Sequence, residues 1–217
     1  MNIYSAVCFD FDYTLGDSTD AIVAGFEHAF QKLGQPKPER EAVRGTIGYL
    51  LEDAYSNLTG DYDAGHRALF RKYFVEMARP RMLEETVLLP GAVELLKGLK
   101  AKGIRLGIVS TKAKNTIEEI MERYGLLEDL DFIIGTFDVT HHKPDPEGLL
   151  MALEKMGTTK SKFLYCGDTV LDAEAAQRAG VDFAPVLNGT TPAEDFVDWP
   201  NVHIAKDLYD LAAYLQV

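Results

Sequence analysis

Apolar residues fall along this chain in two rhythms. Short unbroken runs at Ala6–Phe9, Arg105–Val109, Phe132–Ile134 and Phe163–Cys166, with a fifth at Asp182–Val186, have the length and side chains of buried strands. Between them lie longer stretches with helical spacing, Gly91–Lys102, Asn115–Tyr124, Pro146–Met156 and Leu171–Ala179, the last three ending beside a glycine suited to a left-handed cap. Lys206–Leu215 reads as a closing amphipathic helix. Apolar strands alternating with helices predict an α/β fold, a Rossmann-like parallel sheet flanked by helices on both faces.

Between the first strand and Pro90 the period changes. Ala21–Leu33 sets Ile22, Phe26, Ala29, Phe30 and Leu33 near one helical face, Gly34–Pro38 is a turn, and Thr46–Leu58 and Ala64–Ala78 continue as helices. An insertion of about 70 residues is far longer than a βα connection. It predicts an α-helical cap domain at 18–86, inserted into a core made of 1–17 and 87–217, with Phe26, Phe30, Phe70, Phe74 and Tyr73 as cap core. Such a cap is expected over the C-terminal edge of the sheet, where open α/β folds bind ligands.

Charge and cysteine content narrow the partners. A formal charge of −12 argues against nucleic acid and anionic membrane, although loop amides and a local cation can still bind a small phosphorylated metabolite. Cys8 and Cys166 each lie in an apolar run two residues before an aspartate, which favours two buried thiols of a reducing compartment over a disulfide. The N-terminal residues carry no basic segment or apolar leader, and no run approaches the roughly 20 apolar residues of a membrane span, so the cytoplasm is the expected location.

The chemistry-bearing residues cluster after the strands. Asp10 and Asp12 follow the first, Ser110 and Thr111 the second, Lys143 the third, and Asp168 and Asp172 the fourth, so the topology brings all seven to one sheet edge. Clustered carboxylates repel unless a cation neutralises them, and hard oxygen ligands favour magnesium over zinc. A lysine and a hydroxyl opposite such a metal site suit a phosphoryl group held between them. One carboxylate then attacks in line, while the other protonates the leaving alcohol and later activates water.

These residues lie in Asp10-Phe11-Asp12-Tyr13-Thr14-Leu15, Ser110, Lys143-Pro144 and Gly167-Asp168-Thr169-Val170-Leu171-Asp172, which resemble, in order, the four motifs of the haloacid dehalogenase superfamily. Asp17-Ser18, Leu89-Pro90-Gly91 and Lys143-Pro144-Asp145-Pro146-Glu147 look most like its phosphoglycolate phosphatase-like branch. The resemblance implies Asp10 as nucleophile through an aspartyl-phosphate and Asp12 as general acid/base. It implies phosphoryl binding by Ser110 and Lys143, with Thr111 beside them. Magnesium would be held by Asp10, the Asp12 carbonyl and Asp168, with Asp172 as ligand or water-positioning residue. Tyr13 departs from the pattern, standing where glycine is usual, and Thr111 stands where asparagine is frequent.

Relatives with other chemistry fit less well. Haloacid dehalogenases lack an acid at the Asp12 position, and phosphonoacetaldehyde hydrolases carry alanine there. β-Phosphoglucomutases have valine at the Thr14 position, a histidine at Ile22 and an arginine near Gly48-Tyr49. The expected activity is a magnesium-dependent phosphatase acting on a small phosphomonoester, with phosphoglycolate as the family-level substrate. A phosphosugar mutase and a non-catalytic phospho-accepting or binding protein are the alternatives. His141 and His142 read as solvated loop residues, and Lys112, Lys114 and Asn115 as candidates for substrate contact whose commoner fate is solvation.

Overall fold

The computed structural model describes residues 4–217 and divides the chain into two compact units, one running up to Asp17 and resuming at Leu88–Val217, the other Ser18–Val87. In the larger unit, β1 (Ala6–Phe9) is the central strand of a five-stranded sheet. Around it lie β4 (Arg105–Val109), β5 (Phe132–Ile134), β6 (Phe163–Gly167) and β7 (Asp182–Pro185), in the order β5-β4-β1-β6-β7 with every pairing parallel. Two-residue strands β2 (Gly16–Asp17) and β3 (Val87–Leu88) form a separate ribbon. All four residues of β1 are buried, as expected of a strand with helices on both faces.

The flanking helices are α5 (Ala92–Ala101), α6 (Lys114–Arg123), α7 (Glu147–Met156), α8 (Val170–Ala179) and α9 (Leu208–Leu215), each within two residues of its predicted limits. Packing decides one small residue in the sheet. A Cβ on Gly107 would lie 2.6 Å from the Phe132 ring and 3.1 Å from Cys8 Sγ, so only glycine lets these strands carry that aromatic. Cys8 and Cys166 are both free and buried thiols, matching the expectation. No helix among the described residues is long and apolar enough to cross a membrane.

The smaller unit contains α1 (Thr19–Lys32), α2 (Arg40–Arg44), α3 (Leu51–Thr59) and α4 (Ala64–Glu85). Phe26, Phe30, Tyr55, Phe70 and Phe74 make its centre; Phe26 meets Phe70 edge-on at 5.0 Å and Tyr55 stacks on Phe70 at 4.8 Å. Tyr73, expected in that cluster, is only half-buried, with Lys72 Nζ 5.8 Å from its ring centre. α1 and α4 approach closely at Gly25, where a Cβ would stand 2.7 Å from that of Ala78.

Three helical limits in this unit differ from expectation. The predicted Thr46–Leu58 helix begins only at Leu51, because Thr46 instead donates its hydroxyl to Val43 O (2.7 Å) and Gly48 takes a φ of 103°. The short α2 has too few residues to show a period. α4 passes the predicted stop at Ala78 and carries an exposed Pro80 to Glu85, tertiary packing of Ala78 and Met82 outweighing the proline's missing donor.

Candidate active site

The register of the sheet places the chemistry. Phe9 lies opposite Ile108 on one side and Cys166 on the other, so β1, β4 and β6 end level with one another. Asp10, Ser110 and Asp168 are the next residues of their strands. Asp10 N–H still donates to Cys166 O (2.8 Å) and Ser110 N–H to Ile134 O (3.0 Å), which ties both backbones to the sheet edge.

Asp10 is 1% exposed. Its Oδ2 lies 3.0 Å from Lys143 Nζ, and its Oδ1 is buried without any hydrogen-bond partner. Burial raises its pKa, Lys143 and the Ser110 hydroxyl pull it down, the Asp172 carboxylate pushes it up, and the balance stands at about 6. Lys143 spends its three donors on Asp10, on Asp172 Oδ1 (2.5 Å) and on the Tyr165 hydroxyl (3.2 Å). Burial pulls the Lys143 pKa down, but the two carboxylates outweigh it and hold the ammonium above the ordinary lysine value.

Asp172 is fully buried. Its Oδ1 faces Lys143 and the Tyr165 hydroxyl (2.9 Å), while Oδ2 accepts from Thr169 N–H (3.0 Å) and Thr169 Oγ1 (2.6 Å). This is the capping box of α8, so one carboxylate both starts the helix and anchors Lys143. With two partners on each oxygen, its acceptor capacity is taken up. A Cβ at Gly167 would stand 2.4 Å from Asp172 Cγ, which explains the glycine before Asp168.

Asp168 is the opposite case. It is 3% exposed, and Thr14 Oγ1 donates to it only at 3.4 Å. Burial, with Asp172 and Asp10 adding, drives its pKa well above the usual carboxylate range against a smaller opposing pull from Lys143. Asp10, Asp168 and Asp172 each offer an oxygen within 4.8 Å of the others. Four carboxyl groups, counting Asp12, face two ammoniums, and the ion pairs reach Asp10, Asp12 and Asp172, so ionising Asp168 as well calls for a further cation. An unpartnered Asp10 oxygen, a weakly bonded Asp168 and an all-oxygen donor set fit a hard divalent cation.

Asp12 pairs with a different lysine. Both its oxygens contact Lys112 Nζ, at 2.8 and 3.0 Å. Lys112, expected to be solvated like its neighbours, has a side chain 6% exposed, whereas Lys114 and Asn115 are exposed. Thr111 is half-buried and lines a small recess with Ser110, His142 and Lys143. His141 is exposed and pairs with Glu147, and His142 Nε2 bonds Thr136 O (2.8 Å).

Tyr13 takes a left-handed φ of 57° and is 4% exposed, so this turn uses the backbone shape that the family's usual glycine adopts freely. Its N–H donates to Gly16 O (2.7 Å). The seven residues marked out by spacing thus meet at the end of one sheet.

Lys112, Tyr165, Thr14 and Gly189 join them. A hydroxyl in the otherwise apolar β6 was a legible signal for Tyr165. Gly189 gives no local signal; a Cβ there would fall 2.1 Å from Asp168 Oδ2. Gly189→Ala is therefore expected to displace the Asp168 carboxylate and to weaken the binding of any divalent cation at the acidic cluster at least tenfold, read by metal titration.

Residues 7–186 match the family model described as haloacid dehalogenase-like hydrolase. The pyrophosphatase PpaX of Listeria monocytogenes is 31% identical over 213 residues, covering 98% of this chain and 96% of that protein. The phosphoglycolate phosphatase of Shigella boydii is 31% identical over 80% of this chain and 77% of that protein. A crystal structure of a haloacid dehalogenase-like hydrolase from Bacteroides fragilis superposes with a TM-score of 0.93 at 39% identity, covering 96% of this chain and 99% of that one. Family match, relatives and sheet-edge constellation agree that the chain belongs to the haloacid dehalogenase-like hydrolases, in their phosphoglycolate phosphatase-like branch, and is a phosphatase.

Proposed function

We propose that this phosphatase hydrolyses a small phosphomonoester through an aspartyl-phosphate on Asp10 and depends on magnesium. The observation that carries the reading is the Asp10 carboxylate: fixed at the end of the central strand, held through Oδ2 by Lys143, with Oδ1 buried and unbonded. Oδ1 attacks phosphorus while the bond to the leaving oxygen breaks, and Asp12, which enters this step in its protonated form, gives that oxygen its proton. Asp12, now a carboxylate, takes a proton from the water that attacks the phosphoenzyme; the bond from phosphorus to Asp10 breaks and phosphate leaves.

Ser110 and Lys143 flank the phosphoryl group, with Thr111 beside them. Asp10, the Asp12 carbonyl and Asp168 would hold the magnesium, which when bound supplies positive charge against the phosphoryl oxygens. Asp172, its lone pairs engaged, keeps Lys143 and the start of α8 in place.

Relatives named for pyrophosphate and for phosphoglycolate support a small, strongly anionic substrate, and we take phosphoglycolate as the first candidate. The net charge of −12 supports a metabolite over nucleic acid or an anionic membrane as partner, and the two free thiols support a reducing, cytoplasmic setting. The test is free-phosphate release from a panel of phosphoglycolate, pyrophosphate, sugar phosphates and nucleoside monophosphates. Activity is expected to fall below about 1% in excess chelator and to return with magnesium; full turnover in chelator would overturn the metal assignment. Conversion of glucose 1-phosphate to glucose 6-phosphate without phosphate release would overturn the hydrolytic reading.

A further inference from the structure

The two acidic side chains of the first motif have separate lysines. Lys143 has no donor left for Asp12, because Asp10, Asp172 and Tyr165 take all three. Lys112 spans both oxygens of Asp12 at 2.8 and 3.0 Å, and lies 5.6 Å from the centre of the Phe11 ring.

The loop that carries Lys112 is pinned. Its N–H donates to Ser110 Oγ (3.3 Å) and its carbonyl accepts from Thr136 N–H (3.1 Å). Gly135 passes so near that a Cβ there would come within 2.8 Å of Lys112 O and 2.4 Å of Lys114 N. A cation withdrawn from water costs several kcal/mol unless paired, so its burial demands a partner. A lone aspartate would sample several rotamers, and a shift of about 1 Å in a reacting group costs on the order of 10²-fold in rate.

We propose that Lys112 is a positioning residue of this phosphatase: by gripping both oxygens of Asp12, it fixes the direction in which Asp12 exchanges a proton with the leaving group. This rests on the acid/base reading of Asp12, and its test separates the two.

The readout is kcat/KM in saturating magnesium for two probes, 4-nitrophenyl phosphate, whose leaving group departs without a proton, and glycerol 2-phosphate, whose alkoxide needs one. Because kcat/KM extends only to departure of the leaving group, it reports the proton donated by Asp12 and not the later activation of water. Lys112→Met is expected to lower the alkyl value about 10²-fold and the aryl value several-fold at most. Lys112→Arg, which keeps the charge, is expected to recover most of the alkyl-to-aryl ratio. An equal fall for both probes would overturn the proposal, because loss of phosphate attraction or of folding moves them together.

Asp12→Asn is the control. If it too lowers both values equally, the acid/base reading of Asp12 fails. If it discriminates between the probes while Lys112→Met does not, only the role of Lys112 fails. Should Lys112→Met not fold, Lys112→Gln, which keeps a donor without the charge, reads the same ratio.

Discussion

Asp10→Asn is expected to abolish turnover while stabilising the metal-free fold at neutral pH. An amide is a poor nucleophile and forms no acyl phosphate, and removing the nucleophile of a covalent relay costs on the order of 10⁵-fold or more, which is about 7 kcal/mol of barrier. Phosphate release should drop to background, and no phosphoenzyme should be trapped by acid quench. Retained turnover would reject Asp10 as nucleophile.

The stability effect has the opposite sign. Asp10 titrates near 6 in the folded, metal-free chain because burial outweighs Lys143. A carboxyl whose pKa rises on folding favours the native state below its unfolded value, and that advantage is lost as the pH climbs through about 6. The charged carboxylate therefore costs the native state on the order of 2–3 kcal/mol at pH 7. Asn removes that cost, so the denaturation midpoint in chelator should rise at pH 7 and match wild type near pH 4. On the proposed metal site, added magnesium should narrow the gap by compensating the wild-type carboxylate.

Much of this site was legible because its parts are local signals at strand ends. The run Ala6–Phe9 before Asp10 and the run Phe163–Cys166 before Gly167-Asp168 fixed both the strands and the positions beyond them. The spacing from Thr169 to Asp172 is a capping-box pattern, so the start of α8 and the burial of Asp172 share one cause. Lys112 was not legible. A lysine in or just after the loop between a strand and the next helix gives the same local signal whether it is solvated, as Lys114 is, or buried against Asp12. What separates them is a contact spanning 100 positions.

The same limit applies in the helical unit. Thr46 could continue a helix by propensity or close a turn through its hydroxyl, and only the bond to Val43 O decides. Pro80 within α4 violates a local rule because burial of Ala78 and Met82 on either side of it is worth more. Tyr13 was marked by its sequence as a departure, and the structure supplies the reason for concern: the turn needs φ near +57°, which costs a non-glycine residue on the order of 1–2 kcal/mol.

Lys143→Met is the sharpest test of how the buried charges are balanced. The ammonium is the shared counter-charge of Asp10 and Asp172, which are 1% and 0% exposed. Methionine fills similar space, so packing changes little, but two carboxylates lose their cation. Breaking a buried pair by removing one member costs about 3–5 kcal/mol, and on the phosphoryl-binding role proposed for Lys143 turnover falls as well. In chelator at pH 7 the variant should unfold at a much lower denaturant concentration than wild type. As the pH falls through about 6, where wild-type Asp10 takes up its proton, the deficit should shrink, since Asp10 without Lys143 is protonated already at higher pH and a neutral carboxyl needs no counter-ion. Magnesium should also recover part of the stability while leaving turnover low, because the cation can compensate Asp10 and Asp168 but cannot replace the ammonium at the phosphoryl group. A deficit of equal size at pH 5 and pH 7 would mean that the Asp10 charge does not set it, and the charge account of this site would fall with it.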